Sequence, residues 1–328
     1  MRLLGREWSS FQVCGMAGLL LGASLAMWLA GPTGLSRAVL CSLLGVAAIV
    51  FLTLAMATKV LTGRESLVYY HHEVAILACC ALVLRVRGLP VLPYLDLTAL
   101  GLGVFLACGR QGCLMVGCCH GKPHAFGVAY SESHADEGFP HRYVGVRLFP
   151  VQALESLLVL AIVCGGTLLV LQGRAPGTAL SWYVATYSTL RIWLEELRGD
   201  ALRPYWHRLS EAQWTSMLIL LGVVVGEWTG RLPMAPGHLA MLAFAVLSMA
   251  WLAIGRSSVR SLVLAGHAGR SPTSCRRRLH RRSASMSGAL RWRSASPRRR
   301  WKTLDPSWFP CPGPTGGSRR KKHARSRG

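Results

Sequence analysis

Apolar residues in this chain come in long runs separated by short polar breaks, and that pattern sets the expected fold class. Runs of about 17 to 22 residues, the length a bilayer core demands, occupy residues 11–30, 38–57, 151–172, 176–196 and 236–254. Three shorter or less uniform runs, 72–86, 95–109 and 214–227, predict helices that are short, broken or re-entrant against other protein, because lipid tolerates no unpaired backbone. The pattern predicts an all-α polytopic membrane protein with about seven or eight transmembrane helices, one of them broken or re-entrant in a Gly-rich segment. Residues 122–147 are too polar to span and predict a head segment outside the apolar slab. That segment ends in V-R-L-F-P-V-Q-A-L-E, where Pro150 suits a helix start and Gln152 and Glu155 fall one turn apart on its first face.

At the amino end, Arg2 and Arg6 precede an apolar run that exceeds the ~15 residues of a signal-peptide core and lacks an A-x-A pattern. A retained first span is expected there. Cys14, in F-Q-V-C, has almost no apolar stretch before it and is expected to be a small helix residue.

Composition agrees with the pattern, since 52% of the 328 residues are hydrophobic, but charge divides the chain. Residues 255–328 carry 20 Lys and Arg against the single acid Asp305, leaving 17 basic and 13 acidic residues for 1–254. The expected domains are therefore a membrane domain, 1–254, and a basic tail, 255–328, rich in Ser, Pro and Gly and without apolar period. Such a tail is expected to be disordered. It is a candidate for contact with anionic lipid, and no nucleic-acid partner is expected.

The candidate chemistry lies in C-G-R-Q-G-C-L-M-V-G-C-C-H-G, residues 108–121, which places Arg110 straight after an apolar run. An arginine at membrane depth is costly and marks a functional site by default. Arg191, late in another run, is followed by Glu195 and Arg198, which one helical face would align. Two buried cationic positions suggest an anionic ligand. Gly109, Gly112, Gly117 and Gly121 would let backbone approach a helix or ligand closely. Most of the 11 cysteines lie in apolar runs, where free thiols behave as small hydrophobes, so no disulfide scaffold is expected. Only Cys113, Cys118, Cys119 and His120 cluster. C-x4-C-C-H is no standard zinc spacing, and adjacent cysteines do not readily face one metal, so neither metal nor cofactor is expected.

Four ordered segments carry a family resemblance: G-R-Q-G-C-L-M-V-G-C-C-H-G-K-P from Gly109, R-L-F-P-V-Q-A-L-E from Arg147, R-I-W-L-E-E-L-R-G-D from Arg191 and L-S-E-A-Q-W from Leu209. Over residues 69–226 the chain resembles the bacterial prolipoprotein diacylglyceryl transferases. The resemblance implies a multi-pass enzyme of the bacterial inner membrane that moves the diacylglyceryl group of phosphatidylglycerol to the thiol of a prolipoprotein lipobox cysteine. The products are a thioether and glycerol 1-phosphate.

Carried over by position, the resemblance implies that Arg110 and Arg191 clamp the phosphate, with Gly112 and Gly121 as signature glycines and Glu195 and Arg198 after the second arginine. Tyr70, Cys113 and Gln152 complete the expected substrate contacts. The catalytic base would be His71, in Y-Y-H-H-E where the family carries an aromatic-His-Gly-Gly segment, with His72 the alternative. An Asn and a Glu of the common signature are here Cys113 and Cys118, and a thiol is a weak donor in place of an amide. The alternatives are a paralogue with another acceptor, a lipid-binding scaffold or a transporter, although no internal repeat supports transport.

Overall fold

The computed structural model describes residues 2–3, 6–7, 9–62, 69–136, 138–200 and 205–268. The chain divides into two units, Met1–Ala265 and Gly266–Gly328, and the architecture below belongs to the first. From residue 269 onward, the expected basic tail lies outside the described residues.

The elements in order are strands β1 (Arg2–Leu3) and β2 (Arg6–Glu7), helices α1 (Ser10–Thr33), α2 (Arg37–Thr62), α3 (Tyr69–Val86) and α4 (Val91–Val116), then strand β3 (Pro123–Ala129), the short helix α5 (Glu132–Asp136), strand β4 (Arg147–Leu148), helices α6 (Val151–Leu171) and α7 (Thr178–Leu197), strands β5 (Tyr205–Trp206) and β6 (Leu209–Ser210), and helices α8 (Glu211–Trp228) and α9 (Pro236–Ala268). Among the described residues, eight helices have 18 residues or more, one for each predicted run. Five of them, α1, α2, α4, α6 and α9, are long and apolar enough to cross a membrane.

Two boundaries differ from expectation. The run expected at 95–109 is an unbroken helix to Val116, and the break falls at Gly117, which takes the left-handed conformation (φ 83°) as the helix C-cap. Gly109 and Gly112 lie inside the helix, and Gly112 is where α1 packs on it: a Cβ there would lie 3.1 Å from Cys14 Cβ and from Phe11 Cα. The last helix runs on past residue 254 to Ala268.

Several starts and stops follow from local chemistry. Ser9 with Gln12 and Ser210 with Gln213 form reciprocal capping boxes at α1 and α8. Helix α7 is capped from a distance, because buried Asp96 on α4 accepts hydrogen bonds from the N–H groups of Gly177 and Leu180, both at 2.7 Å. A carboxylate there meets the positive end of the helix dipole.

The core is built around α4, packed by α1, α6 and α7, with Leu29, Leu43, Leu84, Leu97, Leu100, Val159 and Tyr183 fully buried. Helices α1 and α4 touch backbone to backbone. A Cβ on Gly22 would lie 2.4 Å from the Gly101 carbonyl oxygen, so only glycine fits.

Helices α1, α3, α6 and α8 begin, and α2, α4 and α7 end, at one face of the bundle, as alternating passes require, and α9 reaches that face at Arg256. That face carries the head segment between α4 and α6, with its β3–β4 ladder, and the β5–β6 hairpin. Arg256, late in α9, reaches Glu196 at the end of α7 and the carbonyl of Arg208 in the hairpin.

Candidate functional site

Three helix ends meet below this face at matching depth. Arg110 lies six residues before the end of α4, Arg191 six before the end of α7, and Glu155 four after the start of α6. At 1.5 Å per residue, each sits roughly 6–9 Å inside its helix end. Arg110 Nε contacts Glu155 Oε2 at 3.0 Å, with side-chain exposures of 10% and 1%. Tyr187 donates its hydroxyl to Glu155 Oε1 at 2.8 Å. Arg191 Nη1 pairs with Glu195 Oε2 at 2.8 Å one turn along α7. Arg198, at the α7 C-cap, pairs with Asp200 through Nε and Nη2 at 3.1 and 3.3 Å. Arg110 is the arginine that touches Glu155, and the charges of Arg191 and Arg198 also reach this buried carboxylate.

Backbone pairing between the head segment and the end of α7 fixes Arg198. Gly121 bridges to Arg198, the Gly199 N–H donates to the His120 carbonyl at 2.9 Å, and the Lys122 N–H donates to the Leu197 carbonyl at 3.1 Å. These contacts require two glycines. A Cβ on Gly199 would lie 2.4 Å from the Gly121 carbonyl oxygen, and one on Gly121 would lie 2.3 Å from that of Phe149.

The turn after α4 gathers thiols. Cys113, Cys118 and Cys119 bring their sulfur atoms within 4.8 Å of one another. Cys119 takes a left-handed backbone (φ 54°), uncommon for a residue with a side chain. Gln152, fully buried on α6, donates to the Cys118 carbonyl at 2.8 Å and holds the turn. Hydrogen bonds from the Cys113 and Cys118 thiols, then the charges of Arg198 and Arg110, outweigh burial and push the Cys119 thiol well below its usual pKa. Burial works against the Arg198 charge, but Cys119 and Asp200 outweigh it and hold that pKa above the ordinary arginine value. His120 is buried, its Nδ1 2.9 Å from the Gly121 carbonyl and its ring edge-on to Phe139 and Tyr143.

His71 stands at the start of α3, half-exposed, with Nε2 3.4 Å from Glu211 Oε1 at the start of α8 and its ring edge-on to Tyr70. His72 turns inward against Phe51. A cavity of about 130 Å³ beside Arg191 is lined by Tyr70, Glu73, Tyr183, Tyr187 and Ser188. A larger open crevice, about 530 Å³, runs between α1, α2 and α4 and is almost wholly apolar, from Phe11 through Gly18, Leu43 and Phe51 to Phe105.

The structure therefore brings Arg110, Arg191, Glu195 and Arg198 together, joins Gly121 to Arg198, and places Tyr70 in the Arg191 cavity. Gln152 supports the cysteine turn, Gly112 packs on α1 and Cys113 enters the thiol group. His71 faces Glu211. Sequence reasoning left out of the site the residue at its centre, Glu155; the signal was its one-turn spacing from Gln152 at the head of an apolar helix. Tyr187, Asp200 and Glu211 were missed too, each being an ordinary residue until its partner is known.

Residues 7–228 match the family described as prolipoprotein diacylglyceryl transferase. The chain is 34% identical over 140 residues to phosphatidylglycerol–prolipoprotein diacylglyceryl transferase 2 of Clostridium perfringens, covering 41% of this chain and 51% of that protein. It is 30% identical over 138 residues to the enzyme of that name in Clostridium tetani (41% and 53%), and 28% identical over 138 residues to that of Dehalococcoides mccartyi strain BAV1 (42% and 51%). The chain thus spans about half the length of the curated relatives it matches.

Proposed function

The chain belongs to the prolipoprotein diacylglyceryl transferase family, and we propose that it moves the diacylglyceryl group of phosphatidylglycerol to a lipobox cysteine of a prolipoprotein in the bacterial inner membrane. The observation that carries this is three buried arginines, Arg110 paired with Glu155, Arg191 with Glu195 and Arg198 with Asp200, all close to the helix ends at the face that bears the head segment. A guanidinium stays ionised when buried and offers paired donors to phosphate oxygens. Glu155 Oε2 lies 3.0 Å from Arg110 Nε, an ion pair that keeps this guanidinium in place close to the head segment.

The acceptor sulfur forms a bond to the glyceryl carbon as that carbon's bond to phosphate oxygen breaks. The electron pair goes to the departing glycerol 1-phosphate, and the thiol proton is released. The arginines stabilise the charge that develops on the leaving oxygen, the kind of term whose removal costs about 10²–10³ in rate. His71 is the proposed proton acceptor, with Glu211 orienting its imidazole. The apolar crevice suits the acyl chains, because it exposes almost no polar surface.

The test is turnover of labelled phosphatidylglycerol by the purified protein with a lipobox peptide and with its Cys→Ser counterpart. Thiol-dependent diacylglyceryl peptide, lost in Arg110→Ala and Arg191→Ala, is expected. The cysteines at 113 and 118, where the common signature has an Asn and a Glu, favour a second reading, a paralogue with another acceptor. That reading predicts glycerol phosphate release without peptide modification.

A further inference from the structure

We propose that Cys113, Cys118 and Cys119 form a binding site for a thiophilic d10 cation, Zn2+ or Cu+, held by three thiolates. Their sulfur atoms already lie within 4.8 Å of one another. With Zn–S bonds of about 2.3 Å in a tetrahedral site, sulfur–sulfur separations are roughly 3.8 Å, so closure needs at most about 1 Å of side-chain movement. Adjacent cysteines ordinarily point apart, which is why the spacing alone argues against a metal. Here the left-handed backbone at Cys119 (φ 54°) and the left-handed Gly117 (φ 83°) before it turn both thiols toward Cys113. A strained non-glycine conformation persists only where its surroundings hold it. Gln152 does so through the Cys118 carbonyl, and Tyr130 through the Leu114 carbonyl at 2.9 Å.

The charge balance favours a cation despite the arginines nearby. Three thiols that bind Zn2+ release their protons, and the product carries one negative charge, or two with Cu+. That anion sits where the charges of Arg110 and Arg198 reach Cys119. Soft sulfur ligands select such metals over hard cations. The ring of His120 packs between Phe139 and Tyr143 and its Nδ1 meets the Gly121 carbonyl, so the fourth position of a zinc ion is left to water or an incoming ligand.

The site is wired to the arginines by backbone. Cys119 leads into His120 and Gly121, which pair with Gly199 and Arg198. A loaded triad would fix this turn and with it Arg198. That consequence rests on the proposed lipid function, whereas metal binding does not.

The experiment uses the full chain, purified in detergent with reductant, stripped with a chelator and titrated with Zn2+ or, in a separate arm, Cu+. One equivalent of either metal is expected, and Co2+ in its place should show intense thiolate-to-metal charge-transfer absorption. Cys113→Ser, Cys118→Ser and Cys119→Ser should each lose stoichiometric binding, while Cys164→Ser, an exposed thiol on α6, should keep it. Zinc should also protect the three thiols of the unmodified protein from alkylation, read by mass spectrometry, a measurement that needs no variant. Metal content equal in the triad variants and Cys164→Ser, or no protection, would overturn the site. So would a disulfide within the triad that persists under reductant and excess zinc. If metal binds but no lipid is turned over, the proposed function fails and the metal site stands.

Discussion

Replacing Glu155 by Gln keeps the shape of the side chain and an oxygen for the Tyr187 hydroxyl, but removes the charge that pairs with Arg110 and that Arg191 and Arg198 also feel. Stripping one partner from a buried ion pair costs about 3–5 kcal/mol, and Glu155 is 1% exposed in its contact with Arg110. At roughly 2 °C per kcal/mol, the lower end of the scale for large chains, the melting temperature should fall by about 6–10 °C. An anionic lipid that enters the same cluster would supply the missing charge. Phosphatidylglycerol added to the detergent should therefore raise the melting temperature of Glu155→Gln by more than it raises that of the unmodified protein, and phosphatidylcholine should raise neither. The assay is thermal unfolding of both proteins across a series of lipid concentrations. Equal melting temperatures without lipid would refute the counter-ion role. An equal phosphatidylglycerol shift in both proteins would refute the arginine cluster as the anion site.

Gly22→Leu should lower stability by about 1–3 kcal/mol, as overpacking does, because its Cβ would strike the Gly101 carbonyl oxygen; Gly15→Leu, with nothing within 4 Å, should be near neutral in the same thermal melt. Asp96→Ala should cost about 1–3 kcal/mol by leaving the N–H groups of Gly177 and Leu180 without their acceptor, read by unfolding in detergent. Gly199→Ala should weaken phosphatidylglycerol binding more than it lowers the melting temperature, since it forces apart the backbone contact that seats Arg198; a proportional loss of both would refute that. His71→Gln should lower turnover with little change in lipid affinity, and unchanged turnover would exclude it as the base.

The eight apolar runs were legible because the bilayer imposes a single length and period, so each run became one long helix even where the pattern was short. The ends were harder. The helix expected to stop at Gly109 reaches Val116, and along this extension α1 packs against Gly112, a tertiary contact that no local signal encodes. Arg110 and Arg191 stood out because arginines in apolar runs are costly, and a costly residue announces itself. Their carboxylate partner did not, since Glu155 lies close enough to a polar segment to pass for an interfacial cap. Asp96 was overlooked for the same reason: its partners are backbone N–H groups 81 and 84 residues away, and backbone leaves no mark in sequence. The cysteine turn shows the converse. Spacing argued against a shared site, yet with left-handed backbone at Gly117 and Cys119 the three sulfur atoms lie within 4.8 Å of one another.

Charge within the three arginine–carboxylate pairs is balanced, with Arg110, Arg191 and Arg198 against Glu155, Glu195 and Asp200. A phosphodiester adds one negative charge to this neutral set, so its hold depends on donor geometry more than on net attraction. Glycerol 1-phosphate, a monoester that carries up to two charges, would sit against the same three carboxylates with less diacylglyceryl surface to retain it. Such a balance suits the proposed transfer, in which the product released would be more charged than the substrate bound. It predicts that Glu155→Gln, with one net positive charge in the cluster, retains glycerol phosphate longer. Product inhibition should therefore tighten in that variant, measured as the glycerol 1-phosphate concentration that halves initial turnover. An unchanged value would mean that Glu155 does not set product release.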